Sequence, residues 1–142
     1  MPGRLASPLL SVAVLLTAVS TLGCGKFREI SACRALARDV NPALARIEAL
    51  SKKPGVDAQA AVAKEYAELA KRLKARATGS GTLPAAVREY ASVLEATSTT
   101  LRTHTEATRT GATGRVEPRR ELERLVKRER AAVTRIDVEC HS

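Results

Sequence analysis

Aromatic residues are nearly absent from this sequence. Phe27, Tyr66 and Tyr90 are the whole set, and there is no tryptophan among the 142 residues. The core must therefore be built from leucine, valine, isoleucine and alanine, which bury little area each at about 25 cal/mol per Å² of apolar surface. A chain of this length has room for one domain with a modest core. We therefore expect a marginally stable fold that a covalent crosslink would help.

Acidic residues are absent from the first 23 residues, where Arg4 is the one charged side chain. An apolar stretch over residues 9–19 follows this short basic start. It has the length of the hydrophobic part of a secretory signal peptide, and it falls short of the ~20 apolar residues with which a helix spans a bilayer. The sequence therefore predicts that residues 1–23 are a signal peptide.

This stretch closes on Thr21-Leu22-Gly23-Cys24, which resembles the lipobox of bacterial lipoproteins. In that family a small residue precedes a cysteine that receives diacylglycerol and, after cleavage, an N-acyl chain. Gly23 and Cys24 match this pattern, whereas the family prefers leucine in the place of Thr21 and a small residue in the place of Leu22. The resemblance covers the leader alone, and it implies a mature chain that begins at a lipid-modified Cys24.

Lipidation at Cys24 would hold the protein on a membrane, because two or more acyl chains give durable attachment. Residues 24–29 would then be the anchor and a short tether. The residues directly after Cys24 are Gly25 and Lys26 and not aspartate, and by resemblance to lipoprotein sorting this favours the outer membrane. The alternative is ordinary cleavage after Ala18-Val-Ser20, which would release an unanchored, secreted chain.

The number of cysteines, three, is odd for an exported protein: Cys24, Cys33 and Cys140. If Cys24 carries lipid, as the resemblance implies, Cys33 and Cys140 remain as a single possible pair in an oxidising compartment. The sequence therefore predicts a Cys33–Cys140 disulfide. The alternative is a pair of buried, reduced cysteines.

Apolar residues recur at helical spacing in four stretches. The first covers residues 27–50 with a kink at Pro42, and the second covers residues 57–77 with Asp57 as a candidate N-cap. The third begins at Thr82, and the fourth runs from Glu117 to the C-terminus. Short connections make successive helices antiparallel. We predict an all-α fold, an antiparallel up-down four-helix bundle over residues 30–142, in which Cys33 and Cys140 lie at the same end.

The end of the third stretch is rich in threonine, with seven of these residues between positions 97 and 110. Threonine is a poor helix former because its β-branched side chain loses rotamer freedom in a helix. The alternative fold is therefore a three-helix bundle with a loose threonine-rich arm.

Residue patterns for catalysis, metal binding or cofactor attachment are missing. Cys140-His141 lacks the first cysteine of a haem-attachment motif, because Asp137 stands in its place. His104 and His141 do not combine with Cys33 and Cys140 at the spacing of zinc ligands on one element. Acid pairs on the helices lie among lysines and arginines, which is typical of a solvated face. We expect no enzymatic activity, no metal and no cofactor.

Basic residues exceed acidic ones by eight in residues 24–142, which permits binding to anionic lipid or polymer without identifying either. Arg120, Arg124 and Arg128 follow one another at helical spacing and are the candidate anion-binding residues, although glutamates interleave with them and a solvated face is the alternative. Nothing aromatic is available there for stacking on bases, so nucleic acid is disfavoured as a partner.

These observations predict a non-enzymatic envelope lipoprotein. It would act as a small helical interaction or structural module, bound to the membrane through Cys24 and to an envelope protein partner. The alternative function is the binding of an anionic envelope polymer or lipid through basic helix faces. A redox or haem protein is the third class of function considered.

Overall fold

Four helices form where the sequence repeats its apolar residues every three to four positions. The computed structural model describes the backbone of residues 9–112 and 117–142, and the side chains of residues 25, 28–112 and 119–142. The helices are α1 (Leu9–Ser51), α2 (Val56–Arg76), α3 (Thr82–Arg109) and α4 (Glu117–His141). No strand occurs in these described ranges, and the all-α fold is confirmed.

The predicted signal peptide and its cysteine fall largely outside this description. Residues 1–8 lie outside the described backbone, and the side chains of residues 9–24, including Cys24, lie outside the described side chains. Among the residues that are described, no helix combines the length and the apolar run needed to cross a membrane.

Helix boundaries agree with the sequence at α3 and α4 and differ at α1 and α2. α1 begins at Leu9, well before the predicted start at residue 27, and it continues through Pro42. The prediction of Asp57 as the N-cap of α2 is wrong, because Gly55 takes that place without a side-chain cap. Gly55 has φ 102°, a value that glycine adopts at little cost. Asp57 instead lies in the first turn, where a carboxylate interacts favourably with the helix dipole.

The C-terminus of α3 is closed by a glycine in the left-handed conformation. Gly111 has φ 74° and follows the C-cap residue Thr110. The amide of Ala112 donates to the carbonyl of Ala107 at 2.9 Å, and the amide of Gly111 donates to that of Thr108 at 3.3 Å. This pair of bonds is the Schellman motif, which satisfies carbonyls that a helix end would leave without partners.

The chain divides into two compact units, Met1–Arg34 and Ala35–Ser142. In the second unit, one face of each helix contributes to a single core. Its buried members are small or aliphatic apart from one tyrosine: Leu36, Ala43, Leu69, Ala70, Leu73, Ala77, Val87, Tyr90, Ala91, Leu94 and Ala132. The alanines compensate for the shortage of large side chains, because they let neighbouring helices approach closely.

Polar contacts between successive helices show that each pair is antiparallel. In every pair, the residue that comes later in one helix contacts the partner that comes earlier in the next helix. The contacts are Arg46–Glu65 and Asp39–Arg76 between α1 and α2, Arg109–Asp57 and Lys74–Glu95 between α2 and α3, and Arg128–Glu89 and Thr82–Glu139 between α3 and α4. This pattern is that of the predicted up-down bundle.

The threonine-rich end of α3 is an ordinary part of the bundle and not a loose arm. α3 runs without a break to Arg109, and Thr97, Ser98 and Thr105 are buried. The hydroxyl of Thr97 donates to the carbonyl four residues before it at 2.9 Å, and the Thr105 hydroxyl does the same at 2.7 Å. The Ser98 hydroxyl donates to the carbonyl of Ala63 in α2 at 2.7 Å. Because these hydroxyls have partners inside the protein, their burial carries little penalty.

Candidate functional site: a carboxyl in the core, the charged faces and a cleft

Glu129 lies on the core-facing side of α4. Leu125 and Ala132, which are four residues before it and three after it, are almost fully buried, and Glu129 itself is half-buried. It forms no hydrogen bond or ion pair with any residue whose side chain is described. Burial raises the pKa of its carboxyl, because a desolvated carboxylate loses the hydration that favours the charged form.

Two tyrosines from neighbouring helices are electrostatically coupled to this carboxyl. Tyr90 of α3 is 2% exposed, and its hydroxyl has no hydrogen-bond partner among the described residues. Tyr66 of α2 is half-buried and packs against the same core. Burial raises the pKa of both phenols, and the negative charge of Glu129 raises both further. Tyr66, Tyr90 and Glu129 therefore form a polar cluster, which we call the core cluster.

The carboxyl of the core cluster can bind or release a proton, but no further reactive group lies beside it among the described residues. The core cluster contains one carboxyl and two phenols that are held neutral, and no group of cysteine, histidine or carboxylate side chains suited to a metal ion occurs among the described residues. The sequence pattern alone assigned no role to Glu129. Its position could have identified it, because Glu129 comes four residues after the apolar Leu125 and three before Ala132, on the same side of the helix.

Because of Glu129, stability should depend on pH, and Glu129→Gln is expected to abolish that dependence. The folded chain holds the Glu129 proton more tightly than the unfolded chain does. The free energy of unfolding therefore falls as the pH rises from the ordinary carboxyl pKa through the raised one. Urea unfolding from pH 4 to 8 measures this, with Glu123→Gln, at an exposed position of the same helix, as the matched control. Parallel stability curves for E129Q and the parent chain would contradict the assignment.

Two partly exposed valines flank Glu129 on its solvent side. Val126 and Val133 are each 44% exposed, and their spacing of seven residues puts them on one side of α4. We call Val126, Glu129 and Val133 the α4 flank. It combines exposed apolar surface with a carboxyl that lacks a basic partner among the described residues.

The predicted anion-binding residues lie together on the exposed face of α4, but two of them contact acids. Arg128 contacts Glu89 of α3 at 2.9 Å, and Arg124 contacts Glu121 at 3.2 Å. Arg120 is exposed and makes no ion pair with any described residue. Each paired carboxylate reduces the positive potential of this face. The glutamates interleaved with these arginines in the sequence already predicted part of this neutralisation.

Cys33 of α1 and Cys140 of α4 are both disulfide-bonded, and both are partly exposed. Disulfide bonding of these cysteines agrees with an oxidising compartment. It argues against the alternative that both cysteines are buried and reduced. Near Cys140, the Nδ1 atom of His141 lies 3.1 Å from the carboxylate of Asp137 in the preceding turn of α4.

A cleft of about 840 Å³ lies between α2 and the C-terminal half of α3. Alanines and hydroxyl side chains form much of its lining, together with three basic residues, Lys64, Arg102 and Arg109, and one acid, Glu106. Sequence reasoning did not identify this cleft, because the residues that line it come from two helices and have no shared motif.

Comparison with known proteins yields no relative for this chain: no family model, no curated protein and no solved structure matches it.

Proposed function

We propose that this chain is an exported, lipid-anchored protein of the bacterial envelope that acts without catalysis as a small helical interaction module. The basic, apolar leader and the lipobox-like tetrapeptide that ends in Cys24 support export and anchoring. Disulfide bonding at Cys33 and Cys140 supports an oxidising compartment. Gly25 and Lys26, which stand directly after Cys24 in place of an aspartate, favour the outer membrane by resemblance to lipoprotein sorting. We propose that Cys33 and Cys140 are joined to each other.

The α4 flank is the observation that carries the interaction role. A half-buried carboxyl without a basic partner costs free energy, and exposed valines beside it add apolar surface that water solvates poorly. Both costs fall when another protein covers the surface. The partner that fits is a protein surface that presents a lysine or arginine between apolar side chains, since its cation would neutralise Glu129 while its apolar neighbours cover Val126 and Val133.

The ion pairs of two other acids on the helices, Glu65 and Glu121, favour a role without catalysis. Glu65 contacts Arg46 at 3.0 Å, and Glu121 contacts Arg124 at 3.2 Å. Catalytic carboxylates need an enclosed setting that separates their pKa values, whereas these lie on solvated faces beside arginine. They act as surface ion pairs, each worth about 0–1 kcal/mol.

Purification of the tagged full-length protein from the membranes of cells that export it tests this proposal. The intact mass is expected to correspond to a chain that starts at Cys24 and is heavier by its acyl groups. A specific partner is expected to copurify with the parent chain and to be lost from the double variant V126D/V133D. Val138→Asp is the matched control, because Val138 is 58% exposed on another side of α4.

Two results would overturn parts of the proposal separately. An unmodified chain that starts at Thr21 would remove the anchor. Equal recovery of the partner with V126D/V133D, V138D and the parent chain would remove the α4 flank as the contact surface. Helix content and thermal unfolding of each variant, measured by circular dichroism, show that the fold survives the substitutions.

Binding of an anionic envelope polymer or lipid through the basic helix faces is the second proposal. The exposure of Arg120, Arg124 and Arg128 on one face of α4 favours it. The ion pairs of Arg124 and Arg128 are with partly exposed carboxylates and can be exchanged at small cost. The triple variant R120E/R124E/R128E, used in the binding experiment below, distinguishes this face from another basic surface.

A further inference from the structure

Small side chains create the cleft between α2 and α3. Ala60 and Ala67 lie seven residues apart on α2, and Ser98 faces them from α3. Where larger residues would fill the groove between two packed helices, these leave about 840 Å³ open. This volume lies in the range of clefts that hold small molecules, roughly 300–1,000 Å³.

Three of the four hydroxyl groups that line the cleft are already engaged as donors, and the fourth, on Thr103, forms no hydrogen bond with any described residue. Ser98 donates to the carbonyl of Ala63, Thr105 to that of Leu101 and Thr110 to that of Glu106, at 2.7, 2.7 and 3.0 Å. A hydroxyl has one hydrogen to donate, so these three groups offer a ligand only acceptor capacity. Donors for a ligand therefore come from the basic side chains and from the hydroxyl of Thr103.

Two of the three basic residues have no acidic partner among the residues whose side chains are described. Arg109 contacts Asp57 at 2.7 Å, whereas Lys64 and Arg102 form no ion pair or hydrogen bond with any described residue. Both are exposed and line the cleft from opposite helices. Glu106 is the one acid among the described residues of the lining, which therefore carry a net positive charge.

We propose that this cleft binds an amphiphilic anion. Its phosphate or other anionic group contacts Lys64 and Arg102, and its apolar part lies along the alanines of α2. A lysine ammonium and an arginine guanidinium supply charge-assisted hydrogen bonds to such a group. This site is separate from the α4 flank and from the arginine face of α4, so it does not rest on the proposed protein contact.

Titration of the isotope-labelled protein with monomeric dodecyl phosphate tests the proposal. We expect saturable changes in the amide NMR signals of Ala60, Ala67 and Ser98. The double variant K64E/R102E is expected to weaken binding at least tenfold, since it replaces attraction by repulsion at both contacts. Glu106→Gln is expected to tighten binding severalfold because it removes the negative charge that the described lining contains.

The matched control is R120E/R124E/R128E, which reverses three exposed charges outside the cleft. It is expected to leave the affinity within about threefold, the residual change being a long-range effect that salt screens. A tenfold loss in this variant with K64E/R102E unchanged would overturn the cleft in favour of the α4 face.

Two further ligands separate the anionic from the apolar part of the proposal. Inorganic phosphate, which lacks the alkyl chain, is expected to bind at least tenfold more weakly than dodecyl phosphate. A neutral dodecyl glycoside is expected not to shift the same signals below its micelle concentration. Phosphate as tight as dodecyl phosphate, or equal binding of the neutral detergent, would overturn the amphiphilic assignment.

Discussion

Loss of the proposed Cys33–Cys140 bond is expected to lower the free energy of unfolding by up to about 4–5 kcal/mol. A crosslink that closes a loop of roughly 100 residues restricts the unfolded chain and contributes about that amount by loop-closure entropy. Small domains have a total stability of about 5–15 kcal/mol. Because this core is built from alanine and medium-sized aliphatic side chains, the bond is expected to supply a large share of its stability.

Urea unfolding of the oxidised protein, the reduced protein and the double variant C33S/C140S measures this effect. The reduced protein and the double variant are expected to unfold at similar, much lower urea concentrations. Cys24→Ser is the matched control, since it removes the remaining cysteine and is expected to leave the unfolding midpoint unchanged. Equal midpoints for the oxidised and reduced chains would show that the bond does not support the bundle.

Substitutions of Tyr90 are expected to change stability in opposite directions. Tyr90→Phe keeps the ring and removes a buried hydroxyl that lacks a partner among the described residues, so it should raise the free energy of unfolding by about 1–3 kcal/mol. Tyr90→Ala removes the ring as well and should lower it by about 3–5 kcal/mol. Both values can be measured by urea unfolding at pH 7.

Tyr66→Phe is the matched control for this pair. Tyr66 packs against the same core but is only half-buried, so the loss of its hydroxyl should change stability by less than about 0.5 kcal/mol. A loss of stability in Y90F would mean that the Tyr90 hydroxyl has a partner in solution. A double-mutant cycle with Glu129→Gln then shows whether that partner is the Glu129 carboxyl.

Most of the fold could be predicted from the sequence, because helix formation depends on local spacing. Apolar residues at three- and four-residue intervals identified all four helices. The errors occurred where two local rules competed. Asp57 is a good N-cap residue, but the preceding Gly55 can adopt the positive φ of the observed cap. Threonine disfavours helices in isolation, but the hydroxyls of Thr97 and Thr105 find carbonyl partners within α3.

The candidate sites were less accessible to sequence reasoning, because they depend on which side chains meet across helices. The arginine face of α4 was visible as a spacing, yet the pairing of Arg128 with Glu89 joins residues 39 positions apart. Lys64 and Arg102 belong to no sequence motif, and they line one cleft only because α2 and α3 pack side by side. The sequence by itself thus determined the helices and their order, since these follow from local periodicity and short connections. Only the tertiary structure decided which charges are neutralised, which hydroxyl is left without a partner and where a cleft opens, because those properties arise from packing between distant parts of the chain.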